Sequence, residues 1–258
     1  MKIGIFDSGI GGLSVLHQAL HMMGNQHFLY YADEEHVPFG LKTKEEIITY
    51  TDHAVEFMIK KGVDAVVIAC NTATSAAITT LRKRHSIPII GMEPAVKKAI
   101  DTFGNHKVLV IATPITVQGQ KMKGLIERVD KEHVSELVAL PGLVTFAEKG
   151  EFDTSIIKEY LEQELANLRI DEYSSLVLGC THFNFFKDSF REIFPPNVHF
   201  VDGNEGTIKQ LIKELNLNKE EEEQRTTYYF SGKQITKKEE LEGIERYMRR
   251  LDEMLKIN

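Results

Sequence analysis

Cysteine is scarce in this sequence. Only two cysteines, Cys70 and Cys180, occur among its 258 residues, which excludes the multi-disulfide framework of small secreted proteins. Neither a CxxC pair nor an HExxH motif is present, and a closed zinc site needs about four ligands, so we expect no metal site. The N-terminus passes from Met1-Lys2 directly into IGIF and Asp7, unlike a signal peptide. These absences predict a cytoplasmic protein with reduced thiols.

Positive charge and long apolar runs are also lacking. The formal net charge is −7 and no basic stripe is present, so we expect no nucleic-acid partner. No apolar run approaches the roughly 20 residues that a membrane-spanning helix needs, so we expect no contact with a membrane. Much of the acidic excess lies in residues 219–223, a composition typical of a solvated connection.

Apolar runs do alternate regularly with helical periods. Nine runs predict strands, at residues 2–6, 28–32, 65–69, 87–90, 108–112, 134–139, 176–178, 198–201 and 227–230. Thr43 and Glu46 form a capping box for a helix that we expect to stop at Gly62. Further helices are predicted after Cys70, from Asp153, and over residues 237–255. This alternation predicts a parallel α/β architecture.

One sequence pattern occurs twice. A predicted strand is followed by a polar side chain and, after a long gap, a second predicted strand is followed by a cysteine. Asp7 precedes Cys70 by 63 positions, and Thr113 precedes Cys180 by 67. We interpret the repetition as an internal duplication. It predicts two pseudo-symmetric lobes, each a mainly parallel sheet flanked by helices, with the active site in the cleft between them. The first lobe would comprise residues 1–92 plus about 207–258, and the second residues 93–206, with crossings at 92–94 and near 202–204.

Two thiols that face each other across a cleft suit proton transfer at an amino-acid α-carbon. Inversion there is simplest with one base on each face, and a free thiol, with a pKa of about 8.5, is already a few per cent thiolate at neutral pH. His182 is the expected partner of Cys180, and Asp7, at the end of a neighbouring strand, is the expected partner of Cys70. The alternative is that each cysteine is an inert, small buried residue.

Six polar residues that follow predicted strands suggest a site for carboxylates, because helix N-termini favour anions. They are Ser8, Asn71, Thr72, Thr113, Thr116 and Thr181. The same residue types are common helix N-caps, and we expect at least one of the six to serve only as a cap.

The segment FDSGIGGLSV nearly matches a dinucleotide-binding loop, and Asp33 follows the next apolar run, where a ribose-binding acid would lie. The match fails at Ser14, where the motif requires glycine. We therefore interpret Gly9, Gly11 and Gly12 as a tight turn through which the backbone approaches a small ligand.

Five stretches together resemble the glutamate racemase family, part of the cofactor-independent aspartate/glutamate racemase superfamily. They are FDSGIGGLSVL at residues 6–16, VPFG at 37–40, ACNTA at 69–73, the hydroxyl pair Thr113 and Thr116, and GCTH at 179–182. The resemblance implies two α/β lobes that enclose D- or L-glutamate, no cofactor, and a supply of D-glutamate for peptidoglycan. A homodimer is compatible with it.

The resemblance also implies residue roles. Cys70 and Cys180 would be the acid/base pair, with Cys180 acting on L-glutamate and Cys70 on D-glutamate. Asp7 and His182 would assist them, and Glu148 would be a further acidic residue near the site. The implied substrate contacts are Asp7-Ser8, Phe39-Gly40, Asn71-Thr72, Thr113, Thr116 and Thr181-His182.

The sequence departs from the family pattern at three places, one of which is Gly119, where serine is common. Phe39 stands where tyrosine is usual, and Asn184-Phe185-Phe186 follow Phe183, a change that we expect to repack the pocket floor. Aspartate or another small acid is therefore an alternative substrate. Two alternatives of other classes are a nucleotide-binding oxidoreductase or regulator that uses FDSGIGG, and a carboxylate-binding module without catalysis.

Overall fold

Two β-sheets flanked by helices form the framework of the molecule. The computed structural model describes residues 1–23, 26–92, 95–103, 106–215 and 223–257. Within these ranges the strands are β1 (Lys2–Asp7), β2 (His27–Ala32), β3 (Ala65–Ile68), β4 (Ile89–Gly91), β5 (Lys107–Ala112), β6 (Ser135–Ala139), β7 (Tyr173–Leu178), β8 (His199–Val201), β9 (Arg225–Phe230) and β10 (Lys233–Gln234).

The α-helices of the same ranges lie between and after these strands. They are α1 (Leu13–Met23), α2 (Lys44–Lys60), α3 (Asn71–Arg84), α4 (Val96–Phe103), α5 (Pro114–Gln118), α6 (Gln120–Val129), α7 (Pro141–Glu148), α8 (Thr154–Glu164), α9 (Lys187–Ile193), α10 (Asn204–Leu215) and α11 (Lys238–Met254). Short 3-10 turns at Ile10–Gly12 and Thr181–Phe186 lie close to the strand ends that are described below.

The two sheets share one strand order, which is what an internal duplication predicts. The first sheet runs β10-β9-β2-β1-β3-β4 and the second runs β6-β5-β7-β8. Every pairing is parallel except that of β10 with β9. The order β2-β1-β3-β4 in the first sheet thus corresponds to β6-β5-β7-β8 in the second. Asp7 and Cys70 therefore follow adjacent strands, as do Thr113 and Cys180.

All nine predicted strands are present, with differences at their ends. The predicted strand 87–90 begins only at Ile89, because Pro88 has no N–H to donate to a neighbouring strand. The predicted strand 176–178 extends back to Tyr173. The strand β10 was not predicted, because its two residues are too few to show a periodicity.

The predicted capping box is confirmed at the start of α2. Thr43 Oγ1 accepts a hydrogen bond from Glu46 N at 3.2 Å, and Thr43 N donates to Glu46 Oε2 at 2.8 Å. Helix α2 stops before Gly62, whose φ of +79° favours glycine over residues with a side chain. The helices predicted after Cys70, from Asp153 and over 237–255 correspond to α3, α8 and α11.

The C-terminal part of the chain packs on the first sheet. After β8, α10 begins at Asn204 and packs against α1 and β4, and α11 packs against α1. Strand β9 then pairs with β2, with Tyr30 opposite Tyr228. The predicted crossing at 92–94 and the acidic run at 219–223 lie largely outside the described residues. Among the described helices, none is both long and apolar enough to cross a membrane.

Candidate active site

The residues that follow strands of both sheets line one small cavity. Its empty volume is about 280 Å³, and both cysteines contribute to its wall. This location agrees with the general rule that sites in parallel sheets form beyond the carboxyl ends of the strands. The lining residues are Ser8, Pro38, Phe39, Gly40, Cys70, Asn71, Thr72, Thr113, Val144, Cys180, Thr181 and His182.

Cys180 lies beside a charged histidine. Its Sγ is 3.6 Å from His182 Nδ1, and His182 Nε2 donates to Glu148 Oε1 at 2.5 Å. Burial alone lowers the pKa of His182, but the hydrogen bonds to Cys180 and Glu148 outweigh burial and raise this pKa well above the ordinary histidine value. The imidazolium stabilises negative charge on the Cys180 sulfur.

Cys70 is in the opposite electrostatic situation. Burial first, and then the charge of Asp7, raises the pKa of its thiol to about 12, so the sulfur carries a proton at neutral pH. Its Sγ accepts a hydrogen bond from Ala73 N at 3.4 Å and lies 3.6 Å from Ser8 Oγ. Because Ser8 Oγ donates to Asp7 Oδ1 at 3.3 Å, the Cys70 thiol can donate to Ser8. A hydrogen-bonded relay thus links the Cys70 thiol to the Asp7 carboxylate.

Asp7 is fully buried between the two sheets. Burial raises the pKa of its carboxyl to about 6, although the nearby charge of His182 opposes this rise. Thr181 Oγ1, from the second sheet, donates to Asp7 Oδ2 at 3.0 Å, and Gly9 N donates to Oδ1 at 3.1 Å. The structure connects Asp7 with Cys70, its expected partner, through Ser8, a residue predicted to contact the substrate.

The tight turn predicted at the glycines brings the backbone close to side chains of the protein itself. A Cβ at Gly9 would lie 1.8 Å from Glu148 Oε1, one at Gly11 would lie 2.3 Å from His182 Nδ1, and one at Gly12 would lie 2.4 Å from Asp7 Cβ.

Neighbouring backbone groups of the same segment hold these side chains. Ile10 N donates to Glu148 Oε1 at 3.0 Å, and Ser14 Oγ donates to Thr181 O at 3.2 Å. The Ser14 contact gives a structural reason for serine at the position where a dinucleotide-binding loop requires glycine.

Three threonine hydroxyls form a cluster on one side of the cavity. Thr72 Oγ1 lies 2.9 Å from Thr113 Oγ1 and 3.3 Å from Thr116 Oγ1, and Thr113 donates to Thr116 at 3.0 Å. The expectation that at least one of the six polar residues only caps a helix is wrong for the described residues. Helix α3 is capped by the sulfur of Cys70 instead, and α5 has no side-chain cap bond from Thr113.

Asn71 provides an acceptor inside the site. It is buried, and within the described part of the chain its Oδ1 has no hydrogen-bond partner. Because an unsatisfied buried acceptor is costly, a donor such as an ammonium group would be bound favourably there.

The departures at Phe39 and at residues 184–186 have different consequences. Phe39 is buried at the cavity wall, with its ring 6.1 Å from that of Phe6, so an aromatic cluster holds it in place. The prediction that Phe185 and Phe186 repack the pocket floor is wrong. Both rings pack against Phe152, at 5.7 and 5.6 Å, and neither lines the cavity.

Three residues of the site were not predicted from the sequence, namely Pro38 and Val144 in the cavity wall and Tyr30 behind it. Val144 lines the cavity from α7, and its apolar side chain gave no signal because helices commonly bury valine. The buried Tyr30 donates its hydroxyl to Gly9 O at 2.6 Å and so fixes the glycine segment from behind.

Comparisons with known proteins identify relatives that match nearly the whole chain. A protein named glutamate racemase from Campylobacter curvus (strain 525.92) is 56% identical over 265 residues, covering 100% of both chains. The crystal structure of glutamate racemase from Campylobacter jejuni subsp. jejuni superposes with a TM-score of 0.82 at 27% identity, covering 96% of this chain and 98% of that one.

A second solved structure contains a ligand. Glutamate racemase from Francisella tularensis subsp. tularensis SCHU S4, in complex with D-glutamate, is 25% identical with a TM-score of 0.77, covering 96% of this chain and 93% of that one. The sequence model described as Asp/Glu/Hydantoin racemase matches residues 8–211. The strand order and the two cysteines at one cavity agree with these similarities. We conclude that the chain belongs to the Asp/Glu/Hydantoin racemase family.

Proposed function

We propose that this protein interconverts L- and D-glutamate by proton transfer at Cα, without a cofactor, and that Cys70 and Cys180 are the two acid/base residues. Family membership supports the reaction class. The observation that carries the mechanism is that both thiols line one cavity in opposite electrostatic environments, one beside an imidazolium and the other beside a carboxylate.

The different surroundings of the two thiols support a first step in which Cys180 is the base. The Cys180 thiolate removes the Cα proton of L-glutamate, and the Cys70 thiol delivers its own proton to the opposite face. Cys180 then holds a proton and Cys70 is a thiolate, which is the starting state for D-glutamate. The assignment of each thiol to an enantiomer follows the family resemblance.

The other residues in and around the cavity bind and orient the substrate. The threonine hydroxyls and the N-terminal end of α3 suit carboxylates, since hydroxyls and free backbone N–H groups donate to anions. Asn71 Oδ1 suits the α-ammonium group. Glu148 holds His182 in the orientation that faces Cys180. Phe39 and Gly40 close the wall on the side of the first sheet.

The wider setting is also part of the proposal. The first lobe comprises residues 1–92 with about 207–258, and the second residues 93–206, so that the substrate is enclosed between lobes. The D-glutamate produced would serve peptidoglycan synthesis. We place the protein in the cytoplasm, where its two free cysteines would remain reduced. A homodimer stays a prediction, for which light scattering is the test.

Aspartate is the alternative substrate, and Phe39 is the observation that favours it, because the hydroxyl of the usual tyrosine is missing. The ratio of kcat/KM for glutamate and aspartate decides between them. A nucleotide is disfavoured as ligand, because Glu148 and His182 occupy the space that a phosphate would need at the glycine segment.

Substitution of the cysteines tests the two-thiol mechanism. In D₂O the unaltered protein should racemise L-glutamate and place one deuterium at Cα. Cys70→Ala and Cys180→Ala should each lower kcat/KM by roughly 10²- to 10⁴-fold, the usual contribution of a general acid or base. Polarimetry and mass spectrometry measure the two effects. Racemisation by the double alanine variant at the unaltered rate would contradict the mechanism.

The relay through Ser8 predicts that kcat/KM decreases at acidic pH. Cys70 must lose its proton before it can act as the base toward D-glutamate, and Asp7, with a pKa of about 6, accepts that proton through Ser8 only when Asp7 is ionised. Therefore kcat/KM should fall about tenfold per pH unit below pH 6. Both enantiomers must show the same profile, because the equilibrium constant of a racemisation is one.

Ser8→Ala interrupts this relay and provides the matched variant. Its kcat/KM should be lower than that of the unaltered protein above pH 6, and the further fall in kcat/KM below pH 6 should be absent. The relay is refuted if Ser8→Ala retains both the activity and the pH profile of the unaltered protein.

Gly11→Ala tests the close approach of the two sheets. The added Cβ would lie 2.3 Å from His182 Nδ1 and should displace the imidazole from Cys180. Misplacement by about 1 Å can cost roughly 10²-fold in rate, which steady-state kinetics would detect. In the control Gly124→Ala the added Cβ has no atom within 4 Å, so activity should be unchanged and the helix more stable. Full activity of Gly11→Ala would show that the contact is unimportant.

A further inference from the structure

Three side chains with metal-binding atoms meet where α1 packs against α11. His17 Nε2 lies 2.8 Å from Asp252 Oδ1, and the rings of His17 and His21 are 4.4 Å apart. One ligand atom from each of His17, His21 and Asp252 lies within 4.8 Å of the others. None of these residues lines the cavity that holds the cysteines.

The local structure favours ligation. His17 and His21 are four residues apart on α1, so their rings project from the same face of the helix. His21 Nδ1 donates to the backbone oxygen of His17 at 2.8 Å, which leaves the lone pair of the neutral ring on Nε2. His17 is buried, whereas His21 and Asp252 are exposed, so the cluster opens to solvent on one side. A metal ion can therefore enter without disruption of the core.

We propose that His17, His21 and Asp252 form a binding site for a divalent transition-metal ion of the Zn²⁺ class. Two imidazoles and one carboxylate are the donor set that such ions prefer, and water would complete a four-coordinate shell. Mg²⁺ and Ca²⁺ are disfavoured, because they select oxygen ligands. Motif inspection of the sequence missed this site because Asp252 lies 235 positions after His17.

The bound ion would link the C-terminal helix α11 to α1, which carries both histidines. Helix α11 also contacts the segments that carry His182 and Glu148, since Arg250 Nε donates to Phe185 O at 3.0 Å and Tyr247 Oη donates to Ala147 O at 3.1 Å. A bound ion thus stabilises the support behind the candidate active site and takes no part in proton transfer. Ligand binding to the folded state alone raises the unfolding temperature.

Calorimetric titration of Ni²⁺ into the full chain tests the proposal, because Ni²⁺ prefers imidazole to oxygen ligands. His21→Gln removes one exposed ligand and should weaken the site at least about tenfold. His53→Gln, which alters another exposed histidine on α2, is the matched control and should retain the site. In metal-free buffer His21→Gln should keep the kcat/KM of the unaltered protein.

Zn²⁺ is tested on the background of Cys70→Ala with Cys180→Ala, so that thiols do not compete for the metal. Zn²⁺ should raise the unfolding temperature of this protein, Mg²⁺ at equal concentration should not, and addition of His21→Gln should abolish the rise. The same Ni²⁺ affinity with and without His21, or no binding to the unaltered chain, would overturn the proposal. If the cysteine variants fail to fold, the Ni²⁺ titration decides alone.

Discussion

The close approach of the two sheets at residues 9–12 is the constraint on which the rest of the site depends. Four side chains come closer to this segment than a Cβ could tolerate, and three of them, Glu148, Thr181 and His182, follow strands of the second sheet. The glycines of this segment have no Cβ atoms, and this absence allows the two sheets to pack so closely. Hydrogen bonds then fix this packing, with Ile10 N held by Glu148 and Asp7 held by Thr181. A site built from both sheets requires this contact.

The docking also produces the difference between the two thiols. The chain has a duplicated framework, yet its two strand-end cysteines have unlike neighbours. Cys180 faces His182, whose charge is maintained by Glu148, whereas Cys70 faces Ser8 and the carboxylate beyond it. One sulfur is therefore suited to be a thiolate and the other a thiol. Two-base proton transfer needs this pair of states, and near-identical neighbours would not provide it.

The sequence predicted the framework and most of the cavity wall, but not the connections between them. Apolar runs and capping residues indicate strands and helices because these signals are local, and the carboxyl ends of parallel strands locate Cys70 and Cys180. The partner of Gly9 could not be predicted, since Glu148 reaches Ile10 across 138 positions and only after both sheets have docked. The same reason applies to Ser14, whose hydroxyl binds a carbonyl of the other sheet.

A crystal structure with D-glutamate bound is the sharpest test of the two-thiol mechanism, because it locates both sulfurs relative to one carbon. The Sγ atoms of Cys70 and Cys180 should lie on opposite faces of the substrate Cα, each at roughly 3–3.5 Å. The mechanism is contradicted if both sulfurs lie on one face, or if either is turned away from the substrate while the ligand occupies the cavity.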